Sequence, residues 1–170
     1  MSKLSKTILI IGAIFLIYGY LCRMLNIDFF WDSKTIGWIV LVIALLFYWI
    51  DLRKTRRRQG KKIVWVTTGI CFLVFGLLIL PVVVFMLKTS DAYIAATEYL
   101  KSDPKIKDEF GDVNGFGLIP TGSVQTTTIN GAESGSATFE LIVKGDKKYK
   151  DVTIHLKKNP DTFWTVTDIR

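Results

Sequence analysis

Two cysteines, one histidine and three methionines are all the thiol, thioether and imidazole chemistry that 170 residues provide. Both cysteines, Cys22 and Cys71, fall in long apolar runs, and the second half of the chain has none. They cannot make a disulfide framework, a Cys-x-x-Cys redox pair or a zinc-ligand spacing, and both read as small apolar membrane residues. From Thr89 onward there is neither Cys nor Met, so Cu(I) would find no soft ligands there. His155 is the lone histidine; strand alternation sets it on a polar face, and nothing in the pattern supports a Ser–His–Asp relay. Asp108, Glu109 and Asp112 form the densest carboxylate group, which reads as a solvated helix end rather than a cation site. Gly111, Gly115, Gly117 and Gly122 are spread through a loop with no helix after it, which excludes a phosphate cradle. Asn26, Asn114, Asn130 and Asn159 all lack the N-x-S/T acceptor pattern. The expectation is a chain with no catalytic residues, no cofactor and no metal, that is, not an enzyme.

Charge is absent from three stretches. Ile63 to Leu87 holds 25 residues without one, bounded by Lys62 and Lys88. Thr7–Cys22 and Thr35–Ile50 are uncharged for 16 residues each. A bilayer core about 30 Å thick needs about 20 apolar residues in a helix. Arg23 and Lys34 can snorkel, so Met24, Leu25 and the Phe29-Phe30-Trp31 aromatics extend the apolar reach. These runs predict an integral membrane protein with three transmembrane helices near 7–25, 35–50 and 63–87, together an anchor over 1–88. The first run has Lys3 and Lys6 ahead of it like a signal peptide, but Tyr20 and Leu21 are too bulky for a cleavage site, so it is expected to stay. The runs hold no Asp, Glu, Lys, Arg or His, which argues against a channel or transporter. Gly12 and Gly19 lie on one helix face, as do Gly69 and Gly76, and each pair can let backbones approach closely. Pro81 is expected to kink the third span.

The net charge of +7 is unevenly held. From Thr89 to Arg170, ten Lys/Arg face twelve Asp/Glu, a net of −2, while the residues before carry twelve against three, a net of +9. A nucleic-acid binder places its basic residues on the folded domain, so no nucleic-acid partner is expected. Seven cations, Arg53, Lys54, Arg56, Arg57, Arg58, Lys61 and Lys62, crowd the connection between the second and third runs. By the positive-inside rule this connection and the N-terminus are cytoplasmic and 89–170 lies outside, most simply across a bacterial cytoplasmic membrane. Such a run can also recruit anionic lipid, but topology alone accounts for it.

After Lys88 the periodicity changes. Ser90 or Asp91 can cap a helix whose Ala92, Ala95, Ala96, Tyr99 and Leu100 make one apolar face, possible as a direct continuation of the third span. Asp103-Pro104 starts a second, short helix with Ile106 and Phe110 as its apolar pair and Gly111 as its end. From Gly115 the chain reads as strands: Ser123–Ile129, then Ala137, Phe139, Leu141 and Val143 in alternation, then Val152, Ile154 and Leu156, then Thr162–Ile169 with Trp164 and Val166 inward. Turn signals stand at Asn130-Gly131, Gly145-Asp146 and Asn159-Pro160-Asp161. The fold class expected for 89–170 is a small α+β domain, two N-terminal helices packed on one face of an antiparallel sheet.

These residues also carry a resemblance. A helix followed by Ser-Asp-Pro-Lys-Ile-Lys-Asp-Glu-Phe-Gly, the segment from Gly135 to Gly145, Lys147-Lys-Tyr-Lys-Asp-Val-Thr-Ile, and the late Phe163-Trp164 resemble the domain of the cytochrome c oxidase assembly factor one (Coa-one) family, related to a subunit of the mitochondrial presequence translocase. The likeness covers roughly Ser90 to Arg170, and the chain departs from the family in having three spans where one is usual. It implies a membrane-tethered, non-enzymatic interaction domain that assists assembly of a respiratory complex, with membrane-complex subunits as partners and no copper carried. Phe116, Leu118, Ile119, Thr126 and Thr128 are the candidate contact residues, because an exposed strand edge can accept a partner strand. The rival expectation is a tethered domain that senses or binds a small apolar molecule. Neither the partner complex nor the oligomeric state follows from the sequence.

Overall fold

The structure, a computed structural model, describes residues 2–129, 131–160 and 162–170, with the side chains of 129 and 132 outside that description. Five helices precede five strands: α1 (Lys3–Met24), α2 (Ser33–Arg58), α3 (Val64–Lys88), α4 (Asp91–Ser102), α5 (Pro104–Phe110), β1 (Val113–Phe116), β2 (Thr121–Ile129), β3 (Ala132–Gly145), β4 (Tyr149–Lys158) and β5 (Thr165–Ile169). The chain divides into two compact units, Met1–Val82 and Val83–Arg170.

In the first unit, α1, α2 and α3 are long and apolar enough to cross a membrane, at 22, 26 and 25 residues. Glycine sets how α1 meets α2. A Cβ on Gly12 would meet Leu41, one on Gly37 would lie 2.8 Å from the Leu16 amide nitrogen, and one on Gly19 would lie 2.5 Å from that of Lys34. Gly12 opposite Leu41 and Gly19 opposite Lys34 define an antiparallel pair whose backbones approach as closely as the missing side chains permit. The second glycine pair divides: Gly69 lies against the Trp49 ring, while Gly76 faces open space. α3 continues through Pro81 to Lys88.

α2 runs further than the uncharged stretch from which it was expected. Arg53, Lys54, Arg56, Arg57 and Arg58 belong to its last turns, leaving Gln59 to Ile63 as the connection. Lys and Arg are good helix formers, and cations near a helix C-terminus face the negative end of its dipole, so helix growth past Ile50 meets no penalty.

α3, whose last residues from Val83 belong to the second unit, and α4 are separate helices. Ser90, extended at φ −72° and ψ 141°, breaks them; its hydroxyl donates to the Leu87 carbonyl at 2.7 Å and accepts from the Tyr93 amide at 3.3 Å. Asp103 caps α5 by accepting from the Lys105 and Ile106 amides, Pro104 follows, and Gly111 closes the helix at φ +77°. The turn signal at Asn130 and the Asp161 end of the last one lie outside the described residues.

All strand pairs are antiparallel and β3 is the axis. β4 pairs along one edge of β3, β2 and β1 share the other edge end to end, and β5 lies beyond β4. β1 was not resolved as a strand from the sequence; only its pairing of Val113 with Gly145 and Phe116 with Val143, across a bulge, makes it one. The core is one cluster: Ala137, Phe139, Leu141 and Val143 of β3, Val152, Ile154 and Leu156 of β4, Ala92, Ala96 and Leu100 of α4, and Ile106 and Phe110 of α5. Tyr93 adds an edge-on contact with Phe139 at 5.7 Å.

Phe139 is fully buried at the centre of this cluster. Phe139→Ala should therefore cost the 89–170 fragment about 3–5 kcal/mol, whereas Thr126→Ala on the exposed part of β2 should cost under about 0.5 kcal/mol, both read by urea unfolding. Equal losses would mean that Phe139 does not stand at the centre of the core.

Candidate functional site

α4 buries Ala92, Ala96 and Leu100, and this choice of face decides what the helix leaves outside. Ile94 lies away from that stripe and stays 44% exposed. Tyr99, assigned from its spacing to the apolar face, is exposed instead, and its hydroxyl engages the Asp103 carboxylate. The phenol thus keeps its polar end in solvent and its ring along the helix flank.

Opposite this flank runs the connection from β4 to β5. Trp164 packs partly into the core and lies over Gly135 of β3, where a Cβ would come within 2.8 Å of its ring. Phe163, beside it, is 91% exposed. Between the two walls opens a cleft of about 760 Å³, lined by Ile94, Ala95 and Tyr99 on one side and Phe163 and Trp164 on the other, with Asp91 and Glu98 on the helix rim. Lys158 closes one end, its ammonium held 2.5 Å from the Glu133 carboxylate. Aromatic and aliphatic walls with a few charged groups at the margin suit a partly apolar segment or ligand. The signals were present in the sequence as an isoleucine off the helical stripe and an aromatic next to the inward Trp164; neither shows a cleft until α4 and β5 are placed.

The residues expected from the sequence to make contacts are not gathered into one place. Phe116 ends β1 and packs against the core, with the Lys101 ammonium 5.8 Å from its ring centre. Leu118 is exposed and Ile119 half-buried in the link to β2. Thr126 and Thr128 are exposed on β2, an edge strand, opposite Gly135 and Glu133. Phe116 pairs with Val143 and Thr126 with Gly135, so the two groups stand about 26 Å apart along β3. They belong to opposite ends of one sheet edge.

The polar face of the sheet holds His155, whose Nδ1 lies 2.9 Å from the Thr138 hydroxyl across the strand pair. The adjacent Asp168 carboxylate accepts from the Arg170 guanidinium at 2.9 Å. Among the described residues no three His, Cys, Asp or Glu side chains converge as a metal site would need. The acidic group on α5 is instead laced with lysine: Glu109 meets Lys148 at 2.7 Å and Lys150 at 3.4 Å, and the Lys147 ammonium donates to the Asp108 carbonyl. Cys22 is buried and Cys71 exposed, each a free thiol.

Two carboxylates that pin the helices titrate low. The Tyr99 hydroxyl, then the amides of Ile106 and Lys105, hold Asp103 below its ordinary value. The Lys148 ammonium, then Lys150, does the same for Glu109. Each folded-state pKa lies below the unfolded one, so each contribution is complete above about pH 4 and disappears as pH falls through the lowered value. The unfolding midpoint of the 89–170 fragment should stay level from neutral pH to about 5 and drop below about 4. An Asp103→Asn/Glu109→Gln variant should show a shallower drop; an unchanged slope would exclude both groups.

Comparison of the chain with protein-family models, with curated proteins and with solved structures gives no match.

Proposed function

We propose that the chain is a multi-pass membrane protein whose C-terminal unit is a non-enzymatic docking domain for subunits of a membrane complex. The observation that carries this reading is the cleft: Ile94, Tyr99 and Phe163 are left in solvent around it by a unit that buries a complete core elsewhere. A soluble domain that leaves large apolar groups uncovered in one place is offering them to something. The resemblance of 90–170 to the Coa-one family supplies a specific version, in which the partners are respiratory-complex subunits and the help given is assembly rather than copper delivery.

The placement in the membrane is read from α1, α2 and α3, each of membrane-spanning length, and from the cations at one end of the α1–α2 pair. That end then faces the cytoplasm and the C-terminal unit lies outside, across a bacterial cytoplasmic membrane. The volume of the cleft, about 760 Å³, also suits a drug-sized apolar molecule, and a ligand-sensing domain is the second reading.

Fusion of alkaline phosphatase after Arg170 should be active and fusion within 53–62 inactive; the reverse pattern would overturn the orientation. Purified in mild detergent, the full chain should retain protein partners. Phe163→Ser and Ile94→Glu should each reduce that retention at least about tenfold with the unfolding midpoint changed by less than about 0.5 kcal/mol. Retention unaffected by both would remove the cleft from the account, and a co-purifying small molecule lost with the same substitutions would favour the second reading.

A further inference from the structure

Because α1 and α2 are antiparallel, the first turn of α1 shares an end of the pair with the last turns of α2. The end is fastened: the Ser2 amide and the Ser5 hydroxyl both donate to one Asp51 carboxylate oxygen, at 2.6 and 2.7 Å. Ser5 is completely buried there. The clamp brings Lys3 and Lys6 to the end that already holds Arg53, Lys54, Arg56, Arg57, Arg58, Lys61 and Lys62. Nine cations meet one carboxylate, and that carboxylate is engaged by an amide and a hydroxyl. Eight of the nine are exposed, Arg56 being half-buried, and none is in an ion pair among the described residues.

The other end of the pair is built differently. Its cations Arg23 and Lys34 are matched in number by Asp28 and Asp32. The Arg23 guanidinium donates to the carbonyls of Gly19 and Trp31 and lies 4.9 Å from the Trp31 ring centre. Lys34 lies 5.3 Å from the Tyr20 ring centre. Charge at this end is spent inside the protein.

Uncompensated like charges repel and need counter-charge from outside. At about 100° per residue, the cations from Arg53 to Arg58 fan over more than half of the circumference of α2, too wide for one bound anion. Trp65 at the start of α3 is 84% exposed and Tyr48, one turn before Asp51, is also exposed, the aromatic placement found at the level of lipid headgroups. Negative charge spread over an area at that level is phospholipid phosphate. We propose that this end of the hairpin is a collar that gathers anionic phospholipid headgroups from the leaflet around it, beyond its part in setting orientation. The inference rests on the reading of α1 and α2 as membrane spans.

The test uses the full chain reconstituted from detergent into bilayers of equal parts phosphatidylcholine and phosphatidylglycerol, with spin-labelled lipids reporting the boundary shell. Phosphatidylglycerol should be enriched about fivefold over phosphatidylcholine. The enrichment should fall towards parity in 1 M salt and in a variant with the nine cations changed to Gln. A Lys105→Gln/Lys107→Gln control in the second unit should keep it. Reconstitution avoids any change of orientation that loss of these cations would cause in a cell. Equal boundary populations for the native chain, or an enrichment that survives the nine changes, would overturn the collar. Release of the chain from native membranes by alkaline carbonate would overturn the spanning reading itself, an outcome distinct from loss of lipid preference.

Discussion

A strand of 14 residues is longer than the helices laid on it, and much of the second unit follows from that mismatch. β3 extends about 46 Å, whereas the 12 residues of α4 extend about 18 Å. α4 and α5 can cover Ala137 to Val143, where the alternation is strictly apolar. Towards Glu133 the same face runs out from under them, and its residues turn small or polar to match: Gly135, then Glu133, with Thr126 and Thr128 opposite. Trp164 folds back over Gly135 because only glycine leaves room for the ring there. The cleft is the space left between that returning ring and the uncovered flank of α4. It is a product of unequal element lengths, and its lining mixes the aromatic and aliphatic groups of Ile94, Tyr99, Phe163 and Trp164 with polar ones from Asp91, Glu98, Ser102, Lys158 and Thr162.

The parts of this fold most legible in the sequence are those governed by neighbours along the chain. Ser90, the Asp103-Pro104 pair and Gly111 mark helix ends because capping is a matter of three or four residues. The alternation from Ala137 to Val143 marks a half-buried strand for the same reason. What escaped depends on partners far away. β1, reading Val-Asn-Gly-Phe, has neither length nor alternation and is held by β3 alone. Tyr99 sits at a helical spacing that permits burial, yet the sheet below is satisfied by Ala96 and Leu100, and Asp103 offers its hydroxyl a partner outside. The cleft was invisible because its two walls are separated by about sixty residues of chain, Tyr99 to Phe163.

Charge does the sorting that hydrophobicity alone cannot. The second unit is nearly balanced, and its lysines find local use: Lys150 of β4 and Lys148 just before it hold α5 through Glu109, and Lys158 ties β4 to β3 through Glu133. Exposed pairs of this kind contribute little each, so they orient the helices rather than hold the fold. The first unit does the opposite, concentrating cations that have no ion-pair partner among the described residues at one end of a helical pair and engaging Arg23 and Lys34 with carbonyls and aromatic rings at the other. A single chain thus carries one surface of self-neutralised charge and one that is open to an external anion.

The polar face of the sheet bears on what kind of activity the second unit can support. His155, Thr138 and Asp168 stand side by side on three neighbouring strands, which invites comparison with a catalytic relay. A relay needs its base to be oriented by the acid and its nucleophile to face a substrate-sized hollow. Here the imidazole Nδ1 shares a hydrogen bond with the Thr138 hydroxyl, and the Asp168 carboxylate is occupied by Arg170. The cleft, meanwhile, opens on the opposite face, beneath Trp164 and beside α4. The polar groups around His155 and the cleft are therefore on different sides of one sheet.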